Sequence, residues 1–139
     1  MMMERIIIYI DGPNLLGAVT DIRKTRVWID PFILSNSLIK KDRQDIKNIF
    51  YSETPYPENL FSMDSFRKQQ SFFGKMYSYI KDHKIIHIKG NYRINFARVP
   101  KGIVSQFKVE VQNLLNSISW KEPTEKGGDV GLAVQMVRD

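Results

Sequence analysis

The chain has 139 residues and no cysteine, which suits one domain with a core of its own and excludes disulfides, thiolate metal sites and cysteine nucleophiles. Lysine and arginine number 21 against 15 aspartate and glutamate, a net charge of +6; a basic balance favours polyanionic partners without naming one. No apolar run approaches the roughly 20 residues of a membrane helix, and the short apolar opening ends at Asp11 without a small-residue cleavage site. The expectation is therefore a cytoplasmic protein with no membrane partner.

Arg5–Ile10 is a continuous β-branched run, the pattern of a strand buried on both faces in a parallel sheet. Asp11-Gly12-Pro13-Asn14 is a turn signal, and a helix is expected from Pro13 or Asn14, with Leu15, Leu16, Val19 and Ile22 on one face. Asp30-Pro31 predicts a second helix, with Asp30 as N-cap and Pro31 as first helical residue. Ile46–Tyr51 reads as the second strand, and the segment 52–62, with Pro55 and Pro57, as a loop. Asp64 is expected to cap a long helix on which Phe66, Phe72, Phe73, Met76, Tyr77 and Ile80 recur near 3.6-residue spacing. Ile85–Lys89 is the third expected strand.

Beyond Gly90 the texture changes. Tyr92, Ile94 and Phe96 alternate with polar residues, and Ile103, Phe107, Val109 and Val111 do much the same after Pro100-Lys101-Gly102. This predicts an antiparallel hairpin over residues 91–111. Residues 116–128 read as a polar loop and Asp129–Asp139 as a last helix with its N-cap at Gly128 or Asp129. The order β-α-α-β-α-β, then hairpin and helix, predicts an α/β fold with a mostly parallel sheet. The last helix carries Val130, Leu132, Ala133, Val134, Met136 and Val137. Such a surface calls for a sheet beneath it and a strand after it, so residues 1–139 are expected to be a single domain incomplete at its C-terminal end.

Asp11 falls at the carboxyl end of the first strand, where open α/β sheets form their ligand crevices. A carboxylate there can hold Mg²⁺, and Asn14 can orient it or contact a phosphate. The same residues also read as a tight turn with Asp11 capping a helix. Asp129 is open to the same two readings, helix cap or second carboxylate facing the crevice. Lys126 and Gly127-Gly128 just before it suit an approaching phosphate. In the expected hairpin, Arg93, Arg98, Lys101 and Lys108 mix with Tyr92, Phe96 and Phe107. Such a mixture can hold single-stranded RNA, or can be an amphipathic hairpin with its aromatics in the core. The clusters Arg23-Lys24-Arg26 and Lys40-Lys41-Arg43 read as solvated helix ends, and His83 and His87 as structural residues.

Ile8-Tyr9-Ile10-Asp11-Gly12-Pro13-Asn14-Leu15 resembles the opening strand and turn of the NYN domain, in the LabA-like branch of the PIN-like nuclease superfamily. Residues 125–134, Glu-Lys-Gly-Gly-Asp-Val-Gly-Leu-Ala-Val, resemble that branch's second signature. Residues 46–51 and 84–90 resemble its second and third strands, so the likeness runs along nearly the whole chain in order. It implies a PIN-like three-layer α/β/α fold with an inserted β-hairpin, and a Mg²⁺- or Mn²⁺-dependent endoribonuclease activity. Carried over by position, Asp11 and Asp129 are the metal ligands and Asn14 a supporting residue, beside Lys126 read above as a phosphate contact. Two departures stand out. Gln135 replaces a family aspartate, and the family's last strand and helix, whose acidic motif completes the metal site, have no counterpart by Asp139. The alternative is thus a catalytically impaired RNA-binding or regulatory module of the same fold. A homo-oligomer, and a basic surface used for protein assembly, stay open.

Overall fold

The computed structural model describes residues 2–58 and 60–138, apart from the Lys126 side chain. Three parallel strands form the main sheet in the order β1 (Glu4–Asp11), β2 (Gln44–Ser52), β3 (Ile86–Ile88). The chain is α/β, with the expected parallel pairing. Between these strands lie α1 (Gly12–Arg23), α2 (Pro31–Leu38) and α3 (Met63–Lys81). Ile10, Ile49, Tyr51, Phe72, Met76 and Ile85 make the buried core, the strand residues facing the apolar stripe of α3. Asp30 caps α2 as expected, its Oδ1 accepting from the backbone of Phe32 and Ile33 at 2.9 and 3.0 Å. Its other oxygen accepts from the Tyr79 hydroxyl at 2.8 Å, tying α2 to α3.

Several local expectations need correction. The N-cap of α3 is Ser62, whose hydroxyl accepts from the Ser65 amide; Asp64 instead sits in the first turn and pairs with Lys68. Ile22 is 83% exposed, because α1 buries only Gly12 and Leu16 fully. The larger correction concerns the expected hairpin. Its first strand exists as β4 (Asn91–Arg98), but the returning strand is β5 (Ser119–Lys126), read from sequence as a loop. Residues 101–117 form α4 (Lys101–Val104) and α5 (Val109–Ser117) between them. Val111, Leu114, Leu115 and Ile118 follow an i, i+3, i+4, i+7 spacing, a helical period that wins over the short alternation at 107–111.

The last helix, α6 (Gly128–Arg138), lies against all three strands of the main sheet. Gly131 lets it approach: a Cβ there would stand 2.5 Å from Ile88 Cγ2. Only Gly128 and Leu132 of α6 are buried, while Val130, Val134, Met136 and Val137 are exposed. Asp139, the expected end of that helix, lies outside the described residues. Among the described residues no helix is long and apolar enough to cross a membrane.

Candidate functional site

The carboxyl ends of the three parallel strands meet at one edge, where Asp11 is in register with Ser52 and Ser52 with Ile88. Asp11 is both the last residue of β1 and the N-cap of α1. Its Oδ1 accepts from the Asn14 backbone N–H at 3.3 Å and its Oδ2 from the Asn14 side-chain amide at 2.7 Å. The cap reading is thus realised, at the carboxyl end of the strand. Gly12 is required immediately afterwards, since a Cβ would fall 2.5 Å from the Ser52 carbonyl oxygen.

Asp129 arrives at the same place from α6. Its carboxylate is near enough to Asp11 for its charge to act on it. Gly128, beside it, is packed on β2: a Cβ there would stand 2.8 Å from Ser52 Oγ and 2.9 Å from Glu125 Oε1. Gly127 enters the helix with φ +96°, a conformation open to glycine and strained for other residues. The two glycines therefore set the direction in which Asp129 meets the sheet edge.

Electrostatics mark this meeting point. Burial raises the Asp11 carboxyl above its ordinary range; the Asn14 N–H bond opposes the rise, and Asp129 and then Glu125 add to it. Glu125 is anchored at the end of β5, its Oε1 accepting from Thr54 Oγ1 at 3.0 Å and from the Gly128 amide at 3.1 Å. Thr54 in turn accepts from the Gly90 amide at 2.8 Å. The antiparallel β4–β5 arm is thereby fastened to the carboxyl edge of the main sheet.

Comparison with family models, curated proteins and solved structures gives no match. Of the residues singled out from sequence, Asp11, Asn14 and Asp129 converge. Lys126 has its backbone in β5, and its side chain lies outside the described residues. The four basic residues of the expected hairpin are all exposed but do not form one patch. Arg98 shares a strand face with Tyr92, Ile94 and Phe96, and the cross-strand partner of Phe96 is Lys121. Arg93, an odd number of residues from Arg98, stands on the opposite face, while Lys101 begins α4 and Lys108 is the N-cap position of α5. Phe96 is 69% exposed and so is not core. Gln135 is half-buried on α6, past Asp129 on the same helix. His87 is structural: its Nε2 lies 2.6 Å from the Glu53 carbonyl oxygen, and burial lowers its pKa.

Sequence reasoning missed Glu53. It is 3% exposed and receives the Tyr51 hydroxyl at 2.6 Å on Oε2 and the Trp28 indole N–H at 3.0 Å on Oε1. Burial, and then Glu53, hold the Tyr51 hydroxyl in its protonated, donating form. Gln69, fully buried, bridges the segment by donating to the Thr54 carbonyl and accepting from the Tyr56 amide. The available signal was position: Glu53 directly follows the carboxyl end of β2, the same edge that flagged Asp11. Prolines nearby made the segment read as an ordinary loop.

Proposed function

We propose that this chain is an NYN-type, PIN-like domain that cleaves single-stranded RNA with the help of Mg²⁺ or Mn²⁺ held by Asp11 and Asp129. The observation that carries the reading is the approach of these two carboxyl groups at the carboxyl edge of a parallel sheet. Burial raises the Asp11 pKa most, and the nearby Asp129 and Glu125 carboxylates raise it further, so an ionised Asp11 is held at a cost. A divalent cation between Asp11 and Asp129 offsets it. Mg²⁺ is commonly held by one or two carboxylates with several waters completing its shell, which matches a two-carboxylate site. Bound there, the ion would polarise a scissile phosphate and stabilise charge on the leaving oxygen.

The chain's own residues have separate tasks. Asn14 fixes the Asp11 carboxylate through the 2.7 Å amide bond, the kind of orienting contact on which metal ligands depend. Gly128 and Gly131 bring α6 close enough to present Asp129. The net charge of +6 and the Phe96–Arg98–Lys121 face of the arm support RNA as the polyanion.

A second reading, an RNA-binding module without catalysis, is favoured by one observation. Among the described residues no group of three His, Cys, Asp or Glu side chains is arranged to hold a metal ion, and Glu125, the next nearest carboxylate, already has Oε1 engaged by Thr54 and Gly128. Incubation of a labelled single-stranded RNA with Mn²⁺ separates the two. Cleavage by the wild type that is lost in both Asp11→Asn and Asp129→Asn supports the nuclease. Binding without cleavage supports the module, and cleavage that survives both substitutions rejects the assigned site.

A further inference from the structure

Beside the acidic pair, between α1 and residues 53–56, lies a cleft of about 240 Å³ that the proposed chemistry does not use. Pro13, two residues after Asp11, is on its rim. The volume is below the roughly 300–1,000 Å³ of sites that take drug-sized ligands, and fits one flat ring system.

The walls are chemically specific. Tyr56 is held firmly: its ring stacks on Phe61 at 4.1 Å and its backbone N–H donates to buried Gln69. Tyr92, from β4, stands edge-on to both rings, with centroids at 6.2 and 5.5 Å. The Arg26 guanidinium lies 5.9 Å from the Tyr56 centroid. Aromatic rings and guanidinium planes are the surfaces on which unpaired bases stack. Two carboxylates, Asp21 and Glu53, also line the cleft. They repel a phosphate and accept hydrogen bonds, so a base edge rich in donors is the complementary ligand. Glu53 Oε2 accepts only the Tyr51 hydroxyl among the described hydrogen bonds and keeps lone-pair capacity.

Gly17 keeps the α1 wall low. A Cβ at Gly17 would meet nothing within 4 Å, so no packing contact demands glycine there. Glycine inside a helix costs roughly 1 kcal/mol relative to alanine. The space saved at Gly17 belongs to the cleft. Arg26 also lines a neighbouring groove of about 460 Å³ that carries Lys68 and Lys75, a cationic exit for a sugar–phosphate backbone.

We propose that this cleft binds one unpaired guanine of the RNA, with its ring against the Arg26–Tyr56–Tyr92 surface and its N1–H and N2–H₂ edge donating to the Glu53 and Asp21 carboxylates. The inference rests on the reading of the chain as an RNA-binding protein, and not on cleavage. Of the four bases, guanine alone presents two adjacent donors to a carboxylate. Adenine, cytosine and uracil each offer one donor flanked by an acceptor.

The test is binding in EDTA, where no metal-dependent cleavage occurs. The four nucleoside 5′-monophosphates, and a uridine hexamer with or without one internal guanine, are titrated into ¹⁵N-labelled protein. The Trp28 indole N–H, bonded to Glu53, reports on the cleft; in the mononucleotide titrations the Trp120 indole, on the β4–β5 arm, is the internal control. The guanine nucleotide should shift Trp28 with at least about tenfold tighter binding than the other three, the usual worth of a bidentate base contact. Tyr92→Ala and Gly17→Leu should remove the shift, the latter by growing a side chain into the cleft from a position where a Cβ meets nothing within 4 Å. The guanine-containing hexamer should bind more tightly than the guanine mononucleotide.

Equal binding of all four nucleotides, no shift of Trp28, or unimpaired binding by a folded Gly17→Leu variant would overturn the proposal. A mononucleotide preferred over the hexamer would assign the cleft to free nucleotide and overturn the RNA assignment. Guanine selectivity together with failed Mn²⁺ cleavage would sink the nuclease reading alone. Intact cleavage without guanine selectivity would sink the cleft alone.

Discussion

Asp11 at the end of β1 lies near enough to Asp129 at the start of α6 to feel its charge, which adds to the larger effect of burial in raising the Asp11 pKa. In the unfolded chain Asp11 ionises near its ordinary 3.8, whereas in the fold it ionises at higher pH. A raised carboxyl pKa means that its contribution is most favourable in acid and is lost as pH rises through the folded value. Asp11→Asn removes the cost of burying that charge, together with the smaller repulsion from Asp129, and keeps a side chain that caps helices equally well. In the absence of divalent metal the variant should melt above the wild type at pH 7, and the difference should vanish below pH 3.8. Thermal melts across pH check this; an Asp11→Asn variant that melts lower at pH 7 contradicts it.

Glu53 holds the strand-end segment together. Glu53→Gln keeps the volume but turns an amide donor toward the Tyr51 hydroxyl or the Trp28 indole, both of which donate. The expected loss is about 1–3 kcal/mol, the usual consequence of a buried unpaired donor. Urea unfolding should show a lower midpoint with an unchanged slope. An unaltered midpoint would mean that the network is dispensable.

Two glycines of the same helix should respond with opposite signs. Gly12→Ala forces a Cβ to 2.5 Å from the Ser52 carbonyl oxygen, part of the β2 backbone, and should cost about 1–3 kcal/mol. Gly17→Ala meets nothing and should stabilise by up to about 1 kcal/mol. The pair measured by urea unfolding is internally controlled, because both substitutions add the same methyl group to α1.

The faces of the β4–β5 arm should differ in RNA binding. Arg98→Gln, on the face with Phe96 and Lys121, should lower the slope of log affinity against log salt by about 0.7, the value for one phosphate contact on a single strand. Arg93→Gln, on the opposite face, should leave the slope unchanged. Phe96→Ala should weaken binding by about 1–3 kcal/mol if the exposed ring stacks on a base. Equal slopes for the two arginine variants would dismiss the arm as an oriented RNA surface.

Much of the main sheet was legible because its signals are local. The β-branched run at 5–10 and the apolar stretches at 46–51 and 85–89 mark strands, and Asp30-Pro31 marks a helix start. The β4–β5 arm was not legible in this way. Its second strand, Ser-Trp-Lys-Glu-Pro-Thr-Glu-Lys, is polar and contains Pro123, and its pairing with β4 is set across two intervening helices. Asp11 and Asp129 were visible as individual residues, each at a helix start. Their approach depends on how α6 docks, through Gly128 on Ser52 and Gly131 on Ile88, which no local pattern states. Glu53 had only its position after β2 to mark it. Its burial follows from Trp28 and Gln69 arriving from two other segments to join the adjacent Tyr51.

A calorimetric titration of Mn²⁺ into the wild type, Asp11→Asn and Asp129→Asn tests the acidic pair most directly. The proposed site predicts one ion per wild-type chain, with affinity falling by at least about tenfold in each variant, the scale at which even supporting residues of metal sites act. Asn14→Ala should weaken binding within that same range, through loss of the 2.7 Å contact that fixes Asp11. Equal affinity in all the proteins, or no binding by the wild type, would contradict a metal held between Asp11 and Asp129.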